Sequence, residues 1–112
     1  MITVARVYDP PNPDRVFVDR LWPRGIRKDD PRIGHWLKDV TPSNDLRKWY
    51  HANLDRYDDF VARYREELSD GPAATALTQL RTMAESGDVE LATAAKDVEH
   101  SHVPVLVDAL TS

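Results

Sequence analysis

Two arginines flank a tryptophan and a proline directly after a short apolar run. Residues 20–25 read Arg-Leu-Trp-Pro-Arg-Gly and follow Val-Phe-Val-Asp at residues 16–19. Because a guanidinium group presents a fork of N–H donors that matches a carboxylate or a phosphate, this pattern predicts an anion-binding loop at the end of a strand. Arg20, Arg24 and Lys28 would bind the anion. Trp22 would either form a flat wall of the site or fill the core.

A second polar group occupies residues 96–102, Lys-Asp-Val-Glu-His-Ser-His. It follows a predicted strand and precedes a predicted helix, whose free N–H groups would face the same space as the arginines. Lys96 would add a cation to the site. Asp97, His100 and His102 are the candidates for a general acid or base. In the alternative interpretation, Asp97 caps the helix and the histidines are solvated.

Two histidines near a carboxylate could also hold a divalent metal, but no third ligand is evident. We therefore predict neither a metal nor a cofactor. The chain has no cysteine, which excludes a thiolate nucleophile and disulfides. It also has no glycine-rich phosphate loop, no dinucleotide-binding motif and no nucleophile elbow.

A third group, Arg-Lys-Trp-Tyr-His at residues 47–51, interleaves basic and aromatic residues as nucleic-acid surfaces do. On a helix, however, Trp49 and Tyr50 would share one face with Leu46 and pack in the core. Arg47 and His51 lie one helical turn apart and could still reach the anion site.

The composition favours one domain over residues 1–112 and a small partner. The formal net charge is −4, which argues against a nucleic acid or an anionic membrane as the main partner. No apolar run approaches the roughly 20 residues that span a bilayer, and the N-terminus does not resemble a signal peptide. We therefore expect a cytoplasmic protein without a membrane partner. The sequence does not indicate its oligomeric state.

Hydrophobic periodicity and turn residues predict an α/β fold. Strands are expected at residues 2–8, 16–21 and 88–95, the last of them central, and the short first connection favours antiparallel pairing of the first two. Helices are expected from Asp30 to Val40, from Thr41 or Ser43 to Tyr50, from Asn53 or Asp55 to Gly71, from Pro72 to Gly87, and over residues 103–110. The fold class is a small two-layer or three-layer domain. Its short, largely parallel or mixed sheet of about three or four strands would be surrounded by helices.

Several short motifs along the chain resemble the domain-of-unknown-function 488 family (DUF488) in its short, YeaO-like branch. They are RVYDPP at 6–11, VDRLWPRG at 18–25, WLKD at 36–39, PS at 42–43, LRKWYH at 46–51, AAKD at 94–97 and EHSH at 99–102. The resemblance implies a compact α/β domain and no established reaction. Relatives in the short branch usually carry an aromatic residue at Thr93, and those in longer branches often carry cysteines at Thr93 and Ser101. A thiol-dependent activity therefore does not carry over to this chain. Relatives also tend to lack Pro104, so the start of the last helix could differ.

The leading hypothesis is a pocket for phosphate or carboxylate compounds, built from residues 20–25 and 96–102. Its binding residues would be Arg20, Trp22, Arg24, Lys28, Arg47 and Lys96, and its candidate catalytic residues Asp97, His100 and His102. Whether the protein is an enzyme stays open. The alternative is a non-enzymatic interaction or regulatory domain that binds an acidic protein segment or an RNA backbone. A third possibility is that Asp19 pairs with an arginine, and Lys96 with Asp97, only to hold loops together.

Overall fold

The computed structural model describes all residues 1–112 and contains a four-stranded parallel sheet. The strands are β1 (Ile2–Arg6), β2 (Arg15–Phe17), β3 (His35–Trp36) and β4 (Val89–Thr93), in the order β1-β4-β2-β3. The prediction of a small α/β domain with a short, largely parallel sheet is confirmed, and so is the central position of the last strand. The expectation that the first two strands pair in antiparallel fashion is wrong, because each pairs with β4 in parallel.

The short connection between β1 and β2 is possible because the chain crosses only one intervening strand. Two strand spacings amount to about 10 Å, which an extended segment of a few residues can cover. The buried guanidinium of Arg15 holds this connection in place by donating to the backbone carbonyls of Val7, Asp9 and Pro10. Its Nε lies 2.7 Å from a carboxylate oxygen of Glu90 on β4. Arg15 is therefore a structural cation and is not available to a ligand.

Four helices follow the chain as α1 (Asn44–Ala52), α2 (Tyr57–Glu67), α3 (Gly71–Ser86) and α4 (Val103–Thr111). Ser43 caps α1 as predicted, because its hydroxyl accepts the N–H of Leu46. Gly71 does not end α2 as expected. It is the first residue of α3, where Asp70 provides the cap. None of the helices combines the length and the apolar character that spanning a membrane requires.

The helix predicted from Asp30 to Val40 is wrong. The segment instead forms a 3-10 turn at Pro31–Ile33, the edge strand β3, and a second 3-10 turn at Lys38–Val40. Asp30 does accept the N–H of Arg32, so the predicted cap forms without its helix. Gly34 breaks the helix: its φ is +66°, and a Cβ there would lie 2.5 Å from the carbonyl oxygen of Arg15. Gly34 thus allows the segment to pack closely against β2.

Two apolar clusters lie on the two faces of the sheet. The larger contains 18 buried residues and joins the inner sides of all four helices to Val16 and Leu91. The smaller contains Phe17 and Ala92, which alternate with those residues along β2 and β4 and therefore face the other side. Trp22 and Trp36 pack against the smaller cluster. The loop that carries the two predicted anion-binding arginines thus crosses the face of the sheet opposite the helices.

Candidate functional site

A cleft of about 1060 Å³ opens beyond the carboxyl ends of β1, β4 and β2. Open parallel sheets commonly bind ligands at this edge, because several loops leave the sheet there side by side. The lining residues come from the ends of three strands and from the first two helices. They include Arg6 and Tyr8 after β1, residues 19–24 after β2, Arg47, Tyr50, His51, Leu54 and Phe60 from the helical side, and Ala94, Ala95, Lys96, Asp97, His100, Ser101 and His102 after β4.

The structure brings both sequence-predicted loops to this one cleft. Of the predicted binding residues, Arg20, Trp22, Arg24, Arg47 and Lys96 line it. Lys28 is exposed and does not line it. The candidate catalytic residues Asp97, His100 and His102 all line it. Their meeting follows from the parallel pairing of β2 with β4, which places the carboxyl ends of both strands at the same edge. Their roles toward a ligand stay predictions.

Arg20 is partly committed to the fold. Its Nε donates to the carbonyl oxygen of Pro42 at 2.7 Å, and its Nη2 to that of Thr41 at 3.2 Å. These bonds tie the end of β2 to the start of α1. Arg20 is therefore a structural tether, and only the remaining N–H groups of its guanidinium are free for a ligand.

Trp22 packs against the smaller apolar cluster and also lines the cleft. Its indole N–H donates to the carbonyl oxygen of Ile26 at 2.6 Å, and its ring meets that of Trp36 edge-on at 5.4 Å between centroids. Trp36 in turn donates to the carbonyl oxygen of Asp19 at 2.7 Å. The indole pair holds the turn of residues 22–26 against the sheet and thereby fixes the backbone position of Arg24.

Asp19 and His102 connect the two loops. One carboxylate oxygen of Asp19 accepts the hydroxyl of Thr93 at 2.7 Å, and the other accepts the N–H of Ala94 at 2.8 Å. His102 Nε2 lies 2.6 Å from the carbonyl oxygen of Val18 and 3.2 Å from Asp19. Because a carbonyl can only accept, Nε2 carries the proton. Asp19 pairs with a histidine, so the expectation of an arginine partner for it is wrong.

These contacts determine the charge state of Asp19. Burial alone would raise the pKa of its carboxyl. The hydrogen bond and charge of His102, together with the donors at Ala94 and Thr93, outweigh burial and hold the pKa below its ordinary value. Asp19 is therefore an ionised, fully bonded carboxylate that joins two walls of the cleft. It is poorly placed to act as a free base.

Asp97 and His100 form a second, more exposed pair. Asp97 Oδ2 lies 2.9 Å from His100 Nδ1, and both side chains are largely exposed. Lys96 forms no ion pair with Asp97, and Asp97 does not cap α4, so both structural expectations for these residues are wrong. The exposed pair could exchange protons with a ligand, although solvent would compete for both groups.

The backbone beneath this pair is fixed by two tyrosines. Tyr50 donates to the carbonyl oxygen of His100 at 2.7 Å, and Tyr57 to that of Ser101 at 2.8 Å. Burial raises the pKa of both phenols, so both stay protonated donors at neutral pH. The loop between β4 and α4 is thus held rigidly against the first two helices.

The start of α4 offers less to an anion than the sequence suggests. The hydroxyl of Ser101 accepts the N–H of Val103, and Pro104 has no N–H to donate. Nor do any three His, Asp or Glu side chains of the molecule cluster closely enough to hold a metal ion. An anion in this cleft would therefore have to be bound by side-chain cations.

Those cations dominate the charge of the cleft. Five basic side chains line it, against two carboxylates that are already hydrogen-bonded within the site: Arg6, Arg20, Arg24, Arg47 and Lys96 against Asp19 and Asp97. The protein as a whole has a net charge of −4. The cleft is therefore a local basic site on an acidic molecule.

Arg6 was missed by sequence reasoning. It is the last residue of β1 and pairs with Thr93 in the parallel register, so it reaches the same edge as the two predicted loops. Its Nη2 donates to the carbonyl oxygen of Ala94 at 3.3 Å, while its buried Nε has no partner. Recognising β1 and β4 as parallel neighbours would have placed Arg6 at the site.

Comparison with known proteins agrees with the resemblance seen in the sequence. The model of the DUF488-N3i family, described as the inactive DUF488-N3 subclade, matches residues 1–112. Uncharacterized protein Mb3100c of Mycobacterium bovis and uncharacterized protein Rv3073c of Mycobacterium tuberculosis are each 49% identical to the chain over 112 residues, covering 97% of it and 92% of their own length. Uncharacterized protein YeaO of Escherichia coli is 38% identical over 114 residues, covering 99% of this chain and 97% of its own. No solved structure matches the chain. The chain therefore belongs to the DUF488 family, in the DUF488-N3i subclade, and is similar to YeaO along nearly its whole length.

Proposed function

We propose that this protein binds a small anion carrying a phosphate or carboxylate group in the cleft, without converting it chemically. The observation that carries the proposal is the concentration of five basic side chains on one cleft of an acidic protein. Long-range attraction would draw an anion toward this opening, and guanidinium forks would then hold it.

Arg47 is the side chain best placed to bind the anion. Its guanidinium donates to no carbonyl or carboxylate of the protein, and its Nε is buried without a partner. A buried N–H without an acceptor costs free energy, and a small rotation toward a bound anion would relieve that cost. Arg6 has an orphaned Nε of the same kind. The fold therefore leaves donors unused on two sides of the cleft.

Three features support binding without turnover. The matching family model is described as inactive. The chain has no thiol to serve as a nucleophile. Asp19, the most enclosed carboxylate of the cleft, already accepts hydrogen bonds on both oxygens. The exposed pair of Asp97 and His100 is the remaining candidate for proton transfer.

The proposal is tested by calorimetric titration of the protein with inorganic phosphate and with citrate at constant ionic strength. We expect Arg47→Gln to weaken the tighter of the two interactions at least tenfold. Lys48→Gln is the matched control, because Lys48 is the next residue of α1, is exposed and does not line the cleft. It should bind like the unaltered protein.

Further measurements on the same proteins distinguish specific anion binding from unspecific attraction, from catalysis and from RNA binding. Equal weakening by Arg47→Gln and Lys48→Gln would mean unspecific charge attraction and would overturn the proposal. Hydrolysis of 4-nitrophenyl phosphate that is lost in His100→Gln would overturn the non-catalytic part. Tight binding of a single-stranded RNA, with neither small anion bound, would favour the interaction domain instead.

A further inference from the structure

Part of the lining of the same cleft is apolar and exposed. Three side chains there, Tyr8, Leu21 and Leu54, are 39%, 55% and 66% exposed. The chain has only two other exposed large apolar side chains, Met1 and Val4, and neither lines the cleft. Single exposed apolar residues are ordinary on a protein surface, but their concentration at one opening indicates a contact surface.

These three residues come from separate parts of the chain. Tyr8 follows β1, Leu21 follows β2, and Leu54 lies between α1 and α2. Their meeting is a product of the tertiary fold, so no local turn or helix pattern accounts for it. Trp22 and Phe60 also line the cleft, which thus has apolar as well as cationic side chains.

Cationic and apolar side chains adjoin each other in the cleft. The guanidinium of Arg6 lies over the ring of Tyr8, 5.4 Å from its centroid. The hydroxyl of Tyr8 donates to the carbonyl oxygen of Arg24 at 3.0 Å, which holds the ring beside the second loop. A ligand whose charged end met Arg6 would therefore place its remaining atoms against Tyr8.

We propose that the ligand is an organic anion, a phosphate or carboxylate attached to a flat or apolar body, and that this body lies against Tyr8, Leu21 and Leu54. This inference rests on the proposed function and adds the chemical class of the ligand. The volume of the cleft supports it: about 1060 Å³ is far more than an inorganic anion fills and matches the sites that enclose metabolite-sized molecules.

The test compares the dissociation constants of phenyl phosphate and inorganic phosphate, measured by calorimetry. Burying most of a phenyl ring should make phenyl phosphate bind about tenfold or more tightly than inorganic phosphate. In the double variant Leu21→Asn, Leu54→Asn, the ratio of the two constants should fall toward one. Val4→Thr is the control, because Val4 is also apolar and exposed but does not line the cleft. It should keep the ratio of the unaltered protein.

The outcomes distinguish this inference from the proposed function. If inorganic phosphate binds in an Arg47-dependent way and phenyl phosphate binds no better, the exposed apolar lining is not part of the site and the inference is overturned alone. If neither of these compounds nor citrate binds, both proposals fail. An unchanged ratio in the double variant, with its far-ultraviolet circular dichroism also unchanged, would likewise overturn the role of Leu21 and Leu54. Phenol serves as the uncharged probe, and binding of phenol as strong as that of phenyl phosphate would overturn the requirement for an anion.

Discussion

The carboxylate of Asp19 and the imidazole of His102 lie 3.2 Å apart and join the loop after β2 to the loop after β4. Asp19 also receives the backbone N–H of Ala94, and His102 donates to the carbonyl oxygen of Val18. The two loops that bear the predicted binding residues are thus joined by a network of part-buried hydrogen bonds around Asp19 and His102. The shape of the cleft depends on it.

Replacing Asp19 with asparagine should destabilise the protein by about 2 kcal/mol. The amide has only one acceptor oxygen for the donors at Thr93, Ala94 and His102, so at least one buried donor loses its partner. The free energy of unfolding from urea denaturation at pH 7 measures the effect. Asp97→Asn is the control, because that carboxylate is exposed. We expect it to change stability by no more than about 0.5 kcal/mol. Equal losses in the two variants would contradict the structural role of Asp19.

The same carboxylate should make stability depend on acid. Its pKa is held below the ordinary value of 3.8, so the folded protein binds fewer protons than the unfolded chain in this range. The contribution of Asp19 is complete above about pH 4 and is lost as pH falls through the lower pKa of the folded state. The stability difference between the unaltered protein and Asp19→Asn should therefore shrink as pH falls below 4. Urea denaturation at several pH values measures this change.

A second carboxyl with a depressed pKa does not disturb this measurement. The Arg32 guanidinium lowers the pKa of Asp30 to about 2. Asp30 is present in both proteins, so its contribution cancels from their difference. A difference that stays constant from pH 6 down to pH 2 would show that Asp19 is not depressed in the folded state.

The two arginines of the loop should differ in their effect on stability. Arg20→Ala removes two charged hydrogen bonds to the carbonyls of Thr41 and Pro42 and should cost about 2 kcal/mol. Arg24 is exposed and its side chain makes no hydrogen bond, so Arg24→Ala should change stability by no more than about 0.5 kcal/mol. Thermal unfolding monitored by circular dichroism compares the variants. A larger loss in Arg24→Ala would reverse the assignment of Arg20 as the tether.

Gly34→Ala should cost at least about 2 kcal/mol. The residue has a φ of +66°, and the added Cβ would lie 2.5 Å from the carbonyl oxygen of Arg15. Gly87→Ala is the matched control, because its φ of 175° is extended backbone and nothing lies within 4 Å of a Cβ there. It should be neutral or stabilise slightly. Urea denaturation of both variants provides the comparison. Equal stability of the two would contradict the conclusion that the close packing of β3 against β2 requires a glycine at position 34.

The sequence by itself determined the elements whose signals are local. Ser43 caps α1, Pro72 lies in the first turn of α3, and the apolar run before Asp19 forms a strand, because each depends on the chemistry of a few neighbouring residues. The same local signals placed both polar loops after strands. The two loops then meet at one cleft because β2 and β4 pair in parallel.

The tertiary structure alone decided which groups remain free to bind. Arg20 is occupied by carbonyls more than twenty residues away along the chain, while Arg6 reaches the cleft because β1 pairs with β4. The apolar spacing around Trp36 suggested a helix, yet the close approach of Gly34 to Arg15 makes the segment an edge strand. Long-range backbone contacts of this kind leave no periodic signal in the sequence. Most of the residues that line the site could therefore be predicted from the sequence. Which of their hydrogen-bond donors stay unused follows only from the packed fold, and the proposed function depends on those donors.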